Sequence, residues 1–132
     1  MNPDSWSTNT VSRVPIEIEV IGKGSAQCEL VRHLAPLTSK AILSGLPLQG
    51  LAHRYSDSFV YFETGLVLGA EKQRASFKRG EIGFMVANGS IAVFLKDTTS
   101  QAMNPLGRIN SNLETVESAK AGDVMVLKKA TA

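Results

Sequence analysis

The stretch LAHRYSDSF, residues 51–59, sets a histidine and an arginine side by side in an otherwise apolar run. His53 and His33 are the only histidines of the chain. A guanidinium is permanently charged and carries its donors in a rigid fork, which suits Arg54 to act as an aimed hydrogen-bond donor. In an extended strand Arg54 shares a face with Ala52 and Gly50, whereas His53 shares the other with Leu51 and Tyr55. The small neighbours leave open space around the guanidinium, as a shallow cleft requires. Periodicity alone admits a plainer reading as well, in which that face simply meets water.

Other chemistries find no support. A hydrolase needs a nucleophile, a base and an orienting group in one place. The serines sit in no strand-to-helix elbow, GKGS at 22–25 included, and His33 falls at the edge of an element. Two histidines and one cysteine are scattered without metal-ligand spacing, so no metal site is expected. GKGSAQ lacks the second glycine and the Lys-Ser/Thr pair of a phosphate loop. Cys28 alternates with Ala26 and Leu30, the pattern of a buried thiol, and a single cysteine forms no internal disulfide. The formal net charge is +2, and the densest basic stretches are KRG at 78–80 and KK at 128–129. Nucleic-acid binding needs clustered cations, so that class is set aside. No run of 18 apolar residues suggests a membrane span, and the first residues lack the pattern of a secretory signal. A cytoplasmic protein is the expectation.

The elements that must position Arg54 follow from patterning. At 132 residues the length points to one domain that buries roughly two-thirds of its unfolded surface. Residues 1–13 are polar and read as a mobile tail, with Trp6 the exception, able to dock on the body or on a neighbour. RVPIEIEV alternates Ile16, Ile18 and Val20 against Glu17 and Glu19, and AQCELV returns after the glycines at 22–24 as the second strand of a hairpin. LTSKAILSGL suggests a short helix capped by Thr38 or Ser39 and ended at Gly45. LQGLAHRY and SFVYFET form a second antiparallel pair. Residues 65–80 read mostly as loop with a strand near LVLG. Asn88-Gly89 between two β-rich runs predicts a type I′ hairpin turn, and DTTSQAMNPLG reads as a long loop. A short helix with Leu113 and Val116 inward, a turn at Gly122 and a strand over 124–127 finish the chain. About seven or eight antiparallel strands in a chain of this length predict a barrel or a sandwich with a packed interior.

In order along the chain, several segments resemble the cyclophilins. AHRYSDSF resembles the strand in which Phe-His-Arg precedes a turn and a phenylalanine, retaining His53 and Arg54 and placing Phe59 at the pocket phenylalanine. GFMVANGSIAVFL resembles the Met-Ala-Asn segment and its following strand, and PLGRINSNLETVESAK the Phe-Gly-Lys-Val segment and helix. The likeness spans roughly residues 14–130. It is similar above all to small, atypical prokaryotic cyclophilin-like domains, through Gly80-Glu81-Ile82-Gly83, Gly107-Arg108-Ile109 and Gly122-Asp123. The resemblance implies a mainly β fold, a closed antiparallel cyclophilin-like β-barrel of about eight strands capped by two short helices over residues 14–132.

In a prolyl isomerase, Arg54 would donate to the proline nitrogen, whose lone pair is freed when the peptide bond twists over a barrier of about 18–20 kcal/mol. A donor engaged only in the twisted state accelerates the step without proton transfer or cofactor. The surrounding pocket departs from the family. Its orienting glutamine falls on Ile91, its second pocket phenylalanine near Val93 or, one residue on, Phe94, and its loop histidine nearest Met103. Phe62 replaces the glutamine beside the pocket phenylalanine. The resemblance therefore implies an extended peptide or small ligand bound around Arg54 and Phe59, with His53, Tyr61, Met85, Ile91, Val93 and Met103 as further contacts and no efficient catalysis. A weak or atypical prolyl isomerase, with Arg54 as its catalyst, is the second reading. A homo-oligomeric or enzyme-associated module contacted through the Trp6 tail is the third. Whether residues 64–80 and 97–106 cover the cleft stays open in the sequence.

Overall fold

The computed structural model describes residues 12–130. The tail expected over residues 1–13, with Trp6, lies outside the described residues as far as residue 11. Arg13 already opens the first strand.

The apolar alternation of the first two runs becomes a hairpin, β1 (Arg13–Val20) against β2 (Gly24–Val31), with Ile16 opposite Cys28 and Ile18 opposite Ala26. A 3-10 turn (Arg32–Leu34) leads into α1 (Pro36–Gly45), β3 (Leu48–Tyr55) and β4 (Phe59–Glu63). Then come β5 (Arg74–Phe77), β6 (Glu81–Met85), β7 (Ser90–Phe94), β8 (Thr98–Ser111), α2 (Leu113–Glu117) and β9 (Val124–Lys129). Every pairing is antiparallel. Eight strands run in the order β2-β1-β9-β3-β4-β7-β6-β8, and a β2–β8 pairing closes the circle. Where the eight strands pair in the closed circle they keep no free edge; the first part of β8 runs beyond it and pairs only with β5. Gly107 permits the closure, since a Cβ there would lie 1.9 Å from the Glu29 carbonyl oxygen.

Inward-facing side chains fill the barrel. Ile18, Leu30, Phe62, Phe84, Ile91 and Leu106 are fully buried in one cluster, joined by Ile42 from α1 and Val116 from α2. Each buried phenylalanine or leucine contributes about 1.5–3 kcal/mol of transfer free energy. Cys28 lies in this cluster, and burial pushes its thiol up to about 12, in keeping with the alternation of its segment.

Several local expectations are corrected. No strand forms near LVLG; the strand of that region is β5, further on. Residues 98–106 belong to a 14-residue strand, not to a loop. Pro105 fits because the β6–β8 register shifts beside its partner Gly83. The Asn88-Gly89 turn is not type I′, which needs positive φ at both residues. Gly89 alone has it, at 67°, and the turn spans residues 86–89 with Gly89 N–H donating to the Met85 carbonyl at 2.9 Å. α1 begins at Pro36, and its cap comes from across the fold. The Glu71 carboxylate accepts from Leu37 N at 3.0 Å, Thr38 N at 2.8 Å and Thr38 Oγ1 at 2.7 Å. Asn104, fully buried, holds this arrangement through the Glu71 N–H, Thr38 Oγ1 and the Gly69 carbonyl.

Candidate functional site

The pleat of β3, β4 and β7 divides the expected site residues between two faces. Arg54 stands opposite Val60, Phe62 opposite Ile91, and Val60 opposite Val93. Val60, Phe62, Ile91 and Val93 are core residues, so this row faces the barrel interior. His53 opposite Tyr61, Tyr55 opposite Phe59, and Phe59 opposite Phe94 form the outer row. Cross-strand partners share a face, so Arg54 and Phe59 are on opposite sides of the sheet. Ile91 and Val93 pack inside the barrel, away from the outer face on which Phe59 stands. Of the two positions weighed for the second phenylalanine, Phe94 is the one on the outer face.

Arg54 is occupied where it stands. Its Nη1 donates to the Glu117 carbonyl at 3.0 Å and the Ala119 carbonyl at 2.8 Å, at the end of α2. The Glu117 carboxylate beside it binds Arg79 at 2.8 Å, and that hydrogen bond holds Glu117 below the ordinary carboxylate range. A cation beside the last carbonyls of a helix is favoured by the dipole, and here Arg54 ties β3 to the element that fills one end of the barrel.

On the outer face, a second apolar layer covers the wall. β5 pairs only with the first half of β8, and together they fold over β4, β7 and β6. Phe59, Phe77, Met85, Ala92, Phe94 and Met103 are buried between the layers. The Phe77 and Phe94 rings stack at 4.5 Å, and Phe59 meets Phe94 at 5.0 Å. Gly83 lets the cover sit close, since a Cβ there would meet Phe77 at 3.2 Å and Met103 at 3.3 Å.

Where the cover stops, a cleft of about 340 Å³ opens against the wall. Tyr55, Phe59 and Tyr61 form its aromatic side, Met85, Ala87 and Asn88 its end, and Thr99, Ser100 and Gln101 the rim supplied by β8. Residues 64–80 contribute nothing to that lining, whereas 97–106 supply the rim. Of the expected contacts, Phe59, Tyr61 and Met85 line the cleft. Met103 is buried in the adjoining layer, and His53 stacks on Tyr61 at 5.2 Å beside the opening. Tyr55, Ala87, Asn88, Thr99, Ser100 and Gln101 lie outside the expected set. Tyr55 was legible, since it alternates with His53; the β8 residues were hidden by reading their segment as a loop.

No lining residue carries a formal charge. The side chains of Asn88, Thr99 and Gln101 make no hydrogen bond among the described residues, leaving neutral donors and acceptors around an aromatic wall. Such a surface favours an uncharged group with a flat or apolar face. Among the described residues no three His, Cys, Asp or Glu side chains gather as a metal site would require, and no helix is long and apolar enough to cross a membrane.

The sequence matches the cyclophilin-like family over residues 13–128. The fold is shared with the hypothetical protein AF2241 from Archaeoglobus fulgidus, at a TM-score of 0.76 and 23% identity, over 90% of this chain and 96% of that one. McbB, solved in complex with tryptophan, superposes at a TM-score of 0.73 and 16% identity over 89% of this chain, which accounts for 45% of McbB. At these identities the two structures speak to the fold alone. No curated protein matches the sequence. The family match spans almost all of the described residues, and the chain belongs to the cyclophilin-like family.

Proposed function

We propose that the protein is a binding module whose outer cleft takes an extended peptide or a small uncharged ligand, without efficient catalysis. The observation that carries this reading is the division of the two faces. The neutral, aromatic cleft stands outside the barrel, while the Arg54 guanidinium points inward and holds the end of α2. A prolyl isomerase built on Arg54 needs that donor beside the proline ring, and here the sheet separates the two. Along residues 98–101, β8 pairs with β5 on one edge only, which leaves backbone groups near the cleft for an extended peptide. The aromatic wall supplies the apolar contact.

Two uncharged probes test the proposal, an N-acetylated, amidated Ala-Pro peptide and N-acetyltryptophanamide, the second chosen because McbB was solved with tryptophan. Titration into isotope-labelled protein is expected to shift the resonances of Tyr61, Asn88 and Gln101, and Tyr61→Ala is expected to abolish the shifts. In a protease-coupled assay on the peptide, turnover is expected to equal that in buffer. Shifts confined to another surface, or none with either probe, overturn the binding reading. Turnover above buffer that Arg54→Ala removes, in a variant as well folded as the parent, establishes the isomerase instead.

A further inference from the structure

On the far side of the 3-10 turn, a groove of about 470 Å³ runs along α1, lined by Arg32, Pro36, Lys40, Leu43 and Ser44. Positions 36, 40, 43 and 44 form one stripe of the helix, with Leu43 resting on the main core. Arg32 and Lys40 flank that stripe, both exposed, and neither side chain has an ion pair or hydrogen bond among the described residues. Several other cations of the fold are committed, among them Lys23 to Asp123, Arg79 to Glu117 and Lys128 to Glu19. The groove thus combines an apolar floor with two free positive charges.

The described chain starts at its mouth. Arg32 N–H donates to the Ser12 carbonyl at 2.7 Å, so the described chain begins beside one of the two cations. Their sequence, MNPDSWSTNTV, holds one carboxylate, Asp4, no lysine or arginine, and the only tryptophan of the chain. Trp6 precedes Ser12 by a length that reaches roughly 20 Å when extended, and the ten residues of α1 span about 15 Å. For a short flexible linker of this length the effective concentration at such a groove is on the order of millimolar.

We propose that the groove beside α1 is the docking site of the chain's own residues 1–11, with the Trp6 indole on Pro36 and Leu43 and the Asp4 carboxylate between Arg32 and Lys40. The indole supplies a flat apolar body to set against Pro36 and Leu43, and the carboxylate answers the two cations.

Because Trp6 is the sole tryptophan, the fluorescence of the full chain reads this contact directly. The wild type is expected to show blue-shifted emission and reduced quenching by acrylamide, unchanged on dilution. Asp4→Lys is expected to lose that shielding, and Asp4→Lys combined with Lys40→Glu to regain it. Emission of a fully solvated indole in the wild type overturns the proposal. So does shielding that Asp4→Lys and Lys40→Glu leave untouched, or that Tyr61→Ala removes, which would seat Trp6 in the outer cleft. Shielding that disappears on dilution overturns it too, by assigning the groove to the tail of a second copy.

Discussion

Arg54→Ala is expected to cost stability and leave the outer cleft intact. The change removes two hydrogen bonds from one charged nitrogen, at 3.0 and 2.8 Å, to carbonyls of Glu117 and Ala119. A hydrogen bond involving a charged group contributes about 1.5–3 kcal/mol. The two share a donor and the side chain is only half-buried, so they are not summed at full value, and the helix-end contribution overlaps with them. The net loss comes to about 2–3 kcal/mol. With a urea m-value of about 2 kcal/mol per molar, the unfolding midpoint falls by roughly 1 M or slightly more. Arg54→Lys keeps the charge but not the fork, and should recover part of the loss. Urea unfolding followed by circular dichroism measures the midpoint, and the two uncharged probes measure cleft binding under native conditions. A midpoint that stays put while probe binding disappears would refute the reasoning, because it would place the guanidinium's work in the cleft.

Two further perturbations address the frame. Gly107→Ala drives a Cβ to within 1.9 Å of the Glu29 oxygen at the β2–β8 closure and should destabilise by at least about 3 kcal/mol, whereas Gly69→Ala, with nothing within 4 Å, should stay within about 0.5 kcal/mol by the same urea assay. Burial alone would push Glu71 up, but hydrogen bonds from Leu37 N, Thr38 N and Thr38 Oγ1, with the Lys72 charge, hold it below its ordinary 4.5. A depressed folded pKa contributes stability above the unfolded value that is lost as pH falls through the folded one. The stability gap between wild type and Glu71→Gln should therefore be full above the ordinary carboxylate value of 4.5 and close only as the pH falls through the lower value of the folded state; a gap independent of pH would show that the carboxylate charge is not what caps α1.

Strands that alternate apolar with charged residues announce themselves even where, as at Glu17 and Glu29, the charged residues are buried too, and the first hairpin shows why. Ile16, Ile18 and Val20 alternate with glutamates, and the same residues line the core. β8 does not, because its two halves meet different surroundings. Thr98 to Ala102 belong to the outer layer and stay largely polar, while Met103 to Gly107 are all buried, so no single period runs through the strand. The outer layer also makes apolar residues on both faces of β7, every one of which is buried. With both faces apolar, Val93 and Phe94 are equivalent by pattern, and only register separates them. Arg54 escaped for a related reason. Its alternation with Ala52 and Gly50 was legible, but small neighbours that look like an open cleft in sequence stand here beside the end of α2, which takes up the guanidinium. Glu71 as a cap lay beyond any local rule, since it is 33 residues from Thr38.

β8 carries both the rim of the cleft, at residues 99–101, and the closure of the barrel, at residues 107–109. Side chains along a strand alternate with a period of two, so a single residue inserted near position 102 would leave the closure in place and turn the rim over. Thr99 and Gln101 would exchange faces with Ser100, presenting a different set of groups to whatever the cleft holds. If the cleft binds as proposed, its preference can thus change in one discrete step of chain length, with every residue of the aromatic wall untouched.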